Sequence, residues 1–157
     1  MSFKIMIQLS IALFAFIFTS LATWYEGSKV LDVPWEWKHT AIFSEIVNGP
    51  VKEASDILTI DYFVYAAKFL PTFPLIMFLS GTYLLILIGY IVLKRRNKMF
   101  SYFLTSIGLL SLILSGFVSS SPTLGLNVFC LSFLFIGMLS IGVALLRLFN
   151  NKTKEIL

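Results

Sequence analysis

Four stretches of the chain carry no Asp, Glu, Lys or Arg: residues 5–24, 71–93, 99–118 and 127–146. The shortest hold 20 residues and the longest 23, and crossing ~30 Å of hydrocarbon at ~1.5 Å per residue takes about 20. Their apolar positions run on without alternation, as in Ile11-Ala12-Leu13-Phe14-Ala15-Phe16-Ile17-Phe18, whereas a barrel strand alternates lipid-facing and lumen-facing residues. Lipid offers no partner for an open backbone N–H or C=O, so each run is expected to be a helix. Lys4 and the small residues Ser20 and Ala22 give the first run some likeness to a secretion signal, but it is longer than the usual apolar core of one. It is expected to stay as an anchor.

The pattern between these runs is uneven. Residues 25–70 form a long segment, while the turn 94–98 and the loop 119–126 are short. Short connections make neighbouring helices antiparallel. The expected fold is therefore an all-α membrane protein, one domain over 1–157, with four transmembrane helices in an antiparallel bundle and a structured outer segment between the first two. Eight of the twelve Lys and Arg residues (Lys4, Lys94, Arg95, Arg96, Lys98, Arg147, Lys152, Lys154) would share one side, four the other, and seven of the eight acids would accompany the four. Positive residues in short loops stay cytoplasmic, which predicts a plasma-membrane protein with both termini and the tail 147–157 inside. Asn151-Lys152-Thr153, a glycosylation acceptor by pattern, would then be silent.

Composition agrees: the chain is 58% hydrophobic and 13% charged, against about a quarter charged in soluble domains. The net charge of +4 follows from the topology, and a turn as short as 94–98 has no fold to read bases, so nucleic acid is excluded as a partner. One Cys and one His exclude an internal disulfide and a multi-histidine metal site.

Helices gain nothing hydrophobic from associating in lipid, so small residues mark their contact faces. The first span presents Ala12, Ala15, Thr19 and Ala22, the third Ser101, Thr105, Gly108 and Ser115, the fourth Cys130, Gly137, Ser140 and Ala144. Their heptad-like spacing predicts left-handed crossings near ~20°. Pro71 and Pro74 each lack a backbone donor. They predict a kink between the second span and an interfacial helix over about 56–70, capped by Ser55, with Asp61 and Lys68 toward water or headgroups.

The most individual residues lie in the outer segment. Trp24, Tyr25 and Glu26 precede Gly27, and Pro34 opens Trp35-Glu36-Trp37-Lys38-His39. Trp and Tyr suit the layer where membrane meets water, and exposed clusters of them anchor binding partners. The alternation of Trp35 and Trp37 with Glu36 and Lys38 predicts a short extended element, Trp toward the bundle and charge toward water. Gly27 and Pro34 are expected as turn residues. Glu36 and His39 could pair, but a catalytic zinc needs a third ligand, and neither a nucleophile elbow nor a charge within a span is present. No cofactor, metal site or catalytic set is expected.

Trp24-Tyr25-Glu26-Gly27-Ser28, Pro34-Trp35-Glu36-Trp37-Lys38, Asp61-Tyr62-Phe63-Val64-Tyr65 and the Pro71-Thr72-Phe73-Pro74 segment resemble a family of small, uncharacterised membrane proteins of Gram-positive spore-forming bacteria, over roughly the first 95 residues. The resemblance implies lineage and compartment, and no activity. The functional expectation is a non-enzymatic accessory or interaction subunit acting through its outer segment. Its partners would be the lipid bilayer, another membrane or envelope protein, or a second copy. The alternatives are an oligomeric permeation component and an intramembrane enzyme.

Overall fold

The structure is a computed structural model that describes residues 2–94 and 96–156, with side chains described through residue 150. Arg95 and the side chains of Lys152 and Lys154, invoked above for topology, lie outside the described residues, as do those of Asn151 and Thr153. Among the described residues the regular elements are all helical: α1 (Phe3–Gly27), α2 (Trp37–Thr40), α3 (Ile42–Asn48), α4 (Thr59–Phe69), α5 (Thr72–Leu93), α6 (Asn97–Val118) and α7 (Leu124–Ile156). Four helical stretches are long and apolar enough to cross a membrane: Phe3–Asp32, Thr72–Leu93, Asn97–Val118 and Leu124–Asn150. The chain divides into two compact units, Met1–Gly81 with Thr123–Gly125, and Thr82–Pro122 with Leu126–Leu157.

In the first unit, α1 turns one face inward, along which Ala12, Thr19, Thr23 and Gly27 are buried. The spacings of seven, four and four residues keep this stripe on one side of a 3.6-residue helix. Thr19 satisfies its hydroxyl on its own helix, donating to the Ala15 carbonyl at 2.7 Å, the usual solution for a hydroxyl in an apolar helix. Against this stripe lies α4. A Cβ added to Gly27 would overlap the Tyr62 carbonyl oxygen, and Phe18 meets Phe73 of α5 edge-on at 6.4 Å. Gly27 is therefore a close-approach residue in the last turn of α1, not the loop turn its composition suggested.

Between α4 and α5 the chain breaks at Leu70 (φ −131°, ψ 59°). Pro71 and Pro74 then open α5: Leu75 N–H already bonds the Pro71 carbonyl at 2.9 Å. A proline in a first turn gives up only a donor that has no helical partner there. The helix expected from residue 56 begins at Thr59 instead. Asp56 closes a 3-10 turn (Ala54–Asp56) by accepting Lys52 N–H at 3.0 Å and Glu53 N–H at 3.1 Å. Ser55 caps nothing; its hydroxyl lies 3.4 Å from the Glu53 carboxylate.

In the second unit, α6 and α7 meet through small residues. Ser115 Oγ donates to the Cys130 carbonyl at 3.1 Å. A Cβ on Gly108 would lie 2.9 Å from the Gly137 carbonyl, and one on Gly137 3.1 Å from that of Gly108. The Arg147 guanidinium stacks 4.7 Å from the Phe100 ring centre. Positions rise along α6 as they fall along α7, so the pair is antiparallel. Phe100, Leu104 and Ala144 form the buried cluster, with Tyr90 and Phe103 packed on it.

In both units small hydroxyl residues share the interior with apolar ones, and large apolar side chains cover the outside. Thr19, Thr23, Ser101, Ser111, Ser115 and Ser140 are buried while Phe14 and Phe117 are 73% and 78% exposed.

Candidate functional site

The segment joining α1 to α5 is folded throughout, and its organising residue is Asp61. Placed in the first turn of α4, Asp61 is fully buried, which corrects the expectation that it faces water or headgroups. One carboxylate oxygen accepts Phe43 N–H at 3.0 Å; the other accepts Ser44 N–H at 2.8 Å and Ser44 Oγ–H at 2.5 Å. Ser44 Oγ in turn accepts Leu58 N–H at 2.8 Å, so that hydroxyl is satisfied in both senses. The donors Phe43 N–H and Ser44 N–H belong to the first turn of α3, whose leading N–H groups have no intrahelical partners. Asp61 therefore supplies from another helix the acceptor that an N-cap residue would provide locally, where Ala41 holds the cap position. An acceptor-only carboxylate matches three converging donors.

A second tie joins α4 to α2. Lys68 Nζ donates to the His39 carbonyl. Burial lowers the pKa of the Lys68 ammonium, and the Glu36 carboxylate opposes this shift. Tyr65 is raised above the ordinary phenol value, first by burial and then by Glu36. Lys68 is thus held in the segment's own framework, and Glu36 turns partly inward beside it rather than outward to water.

The stretch around Trp35 is a 3-10 turn (Pro34–Glu36) followed by α2, not the extended element that its alternation predicts. Pro34 at the head of the turn presets φ for tight winding, and the Trp37 indole N–H donates to the Val30 carbonyl at 2.7 Å. That bond ties Trp37 to the fully buried Val30. In a turn of three residues, neighbours no longer alternate between two faces. Trp37 is half-buried while Trp35 is 73% exposed, so Trp35 does not face inward as expected. Trp24 and Tyr25 are exposed in the last turn of α1, Glu26 is half-buried there, and the His39 side chain is exposed. The structure does not gather these residues into one chemical centre. Among the described residues no three His, Cys, Asp or Glu side chains come close enough to hold a metal ion.

Asp61 and Ser44 are the residues that sequence reasoning missed as a pair. They lie seventeen positions apart, and the motif that begins at Asp61 gives no sign of Ser44. One signal was available: a lone acid among apolar residues in Ile57-Leu58-Thr59-Ile60-Asp61-Tyr62-Phe63 is costly unless it is hydrogen-bonded.

Compared with known proteins, residues 6–93 match the model of a domain of unknown function, DUF4306. The matched region takes in α1 from its fourth residue, the whole connecting segment and α5 up to its last residue. The uncharacterized protein YjdJ of Bacillus subtilis (strain 168) is 31% identical over 83 residues, covering 52% of this chain and 76% of that protein. No solved structure matches. The distinctive residues of the segment therefore fall inside the matched region, and the chain belongs to the DUF4306 family.

Proposed function

We propose that the chain is an integral protein of the bacterial plasma membrane, crossing it four times in an antiparallel bundle with both termini in the cytoplasm. In this reading the segment between α1 and α5 is an outer cap, and the protein is a non-enzymatic accessory subunit that engages another membrane or envelope protein through it. The outer surface supports the membrane reading: large apolar side chains turned outward, with hydroxyls kept inside, suit lipid and would be an oversized apolar surface in water. The Lys and Arg bias supports the orientation.

The observation that carries the functional reading is the cap itself. Three donors on the buried Asp61 hold it folded, while Trp35 is left 73% exposed on a polar rim with Lys38 and His39. A rigid exposed aromatic is the usual anchor of a protein interface. The test is a photo-crosslinking residue at position 35 in native membranes. A discrete protein adduct from intact cells, lost when Asp61→Ala opens the cap, is the expected result. Adducts to lipid alone, or labelling only after the cytoplasmic face is opened, would refute the reading.

A further inference from the structure

The short helix α3 is amphipathic in the wrong sense for a helix on a protein in water. At 3.6 residues per turn, Ile42, Ile46, Phe43 and Val47 fall within one arc of about 140°, and Ser44, Asn48 and Glu45 fall on the other side. In a water-soluble domain the apolar arc would turn inward. Here Ser44 alone is buried; Glu45 and Asn48 stay exposed, and the whole apolar arc is exposed with them, Ile42, Phe43, Ile46 and Val47 at 47%, 41%, 75% and 68%.

The backbone has a matching peculiarity. Phe43 N–H and Ser44 N–H, which water would satisfy on an exposed helix end, are instead taken by the Asp61 carboxylate from within the protein. A helix end that keeps its polar groups internally satisfied suits a surrounding without water. The level of α3 is fixed by direct contacts. Ser44 bonds Asp61, the next residue Tyr62 lies against Gly27, and Gly27 is three residues beyond Trp24 and two beyond Tyr25. Given the membrane reading proposed above, on which this inference rests, those aromatic residues mark the layer where lipid meets water. We infer that α3 docks its Ile42, Phe43, Ile46 and Val47 arc into the outer leaflet beside the bundle, so that the cap is pinned to the lipid surface.

A protein partner at this arc is the competing occupant. The charge pattern favours lipid over a complementary charged surface: Glu45 is the one charge in α3 and stands off the apolar arc. Apolar area, not attraction to headgroups, then sets the docking.

The test uses the full chain with Cys130→Ala, reconstituted in phosphatidylcholine vesicles, carrying a nitroxide on a single cysteine. The sites are Ile46→Cys, Glu45→Cys, an outward position of α1 (Phe14→Cys) and an exposed site in α2 (Lys38→Cys). Collision with oxygen reports lipid, and collision with a nickel chelate reports water. Docking places the label at 46 about 5–10 Å below the headgroup boundary. Its oxygen-to-nickel ratio is then expected to resemble that at 14 and to exceed that at 45 severalfold, with 45 resembling 38. A ratio at 46 equal to that at 38 would overturn the inference. Shielding of 46 from both reagents would overturn it in favour of a second copy covering the arc. A label at 14 open to the nickel chelate would instead bring down the membrane reading itself, so the two failures are distinguishable.

Discussion

Replacing Asp61 by Ala removes the acceptor for three donors at once while leaving the apolar helices untouched. Phe43 N–H, Ser44 N–H and Ser44 Oγ–H would lose partners at 3.0, 2.8 and 2.5 Å. A buried donor left without a partner costs about 1–3 kcal/mol. Ser44 Oγ–H can rotate to another acceptor and Phe43 N–H is only partly buried, so the combined loss is expected to be about 3–5 kcal/mol. At ~1.4 kcal/mol per tenfold, α3 would detach at least two orders of magnitude more often. Chymotrypsin cleavage of the Phe43–Ser44 bond in detergent-solubilised protein reads this directly, because that bond lies within α3 and is cut only when α3 opens. When opening is fast relative to cleavage, the rate follows the open population. Asp61→Asn keeps one carbonyl acceptor but sets an amide donor against another donor, so it should fall between wild type and Asp61→Ala. Ser44→Ala combined with Asp61→Ala should cost less than the two changes summed, since they share one network. If cleavage at Phe43 is no faster in Asp61→Ala than in wild type, the carboxylate does not hold the cap and the reasoning fails.

The two tryptophans of the 3-10 region should separate. Trp37→Phe loses the indole bond to Val30 and is expected to cost ~1 kcal/mol, while Trp35→Ala, at an exposed position, should stay within ~0.5 kcal/mol; detergent melts compare them, and equal costs would contradict the turn geometry. In the α6–α7 contact, a Cβ at Gly137 already lies 2.8 Å from the Leu112 side chain, so Gly137→Leu is expected to cost about 1–3 kcal/mol or more and to exceed Leu134→Ala at an exposed site in the same assay. The Asp56 carboxyl is held below its usual value of 3.8 first by the backbone N–H groups of Lys52 and Glu53. A depressed carboxyl contributes stability that is present above the unfolded value and lost as pH falls through the folded one. Amide-exchange protection of Lys52 and Glu53 should therefore decline below about pH 4, and in Asp56→Asn it should be lower at neutral pH and flat across that range.

Much of the long-range plan was legible because lipid-length apolar runs and the spacing of small residues are local properties. The runs 5–24, 71–93, 99–118 and 127–146 fall on the four long helices, although α1 runs on to Gly27 and α7 to Ile156. Helix ends are set by hydrogen-bonding partners, and hydropathy does not report them. The alternation at Trp35 misled because a period of two over four residues fits a strand and is also allowed by chance in a tight turn. Pro34 and the reach of Trp37 to the Val30 carbonyl decided for the turn.

By itself, then, the sequence determined that the described chain is helical, that four helices are long and apolar enough to cross a membrane, and that its acidic residues concentrate in one connection. Those outcomes depend on the character of contiguous residues. Only the tertiary structure decided that Asp61 is buried on Ser44, that Gly27 lies against the backbone of α4, and that α3 turns its apolar arc outward. In each case the deciding partner is distant in sequence. A polar residue's surroundings are set by which donors fold against it, and these lie seventeen and eighteen positions away, beyond any local pattern.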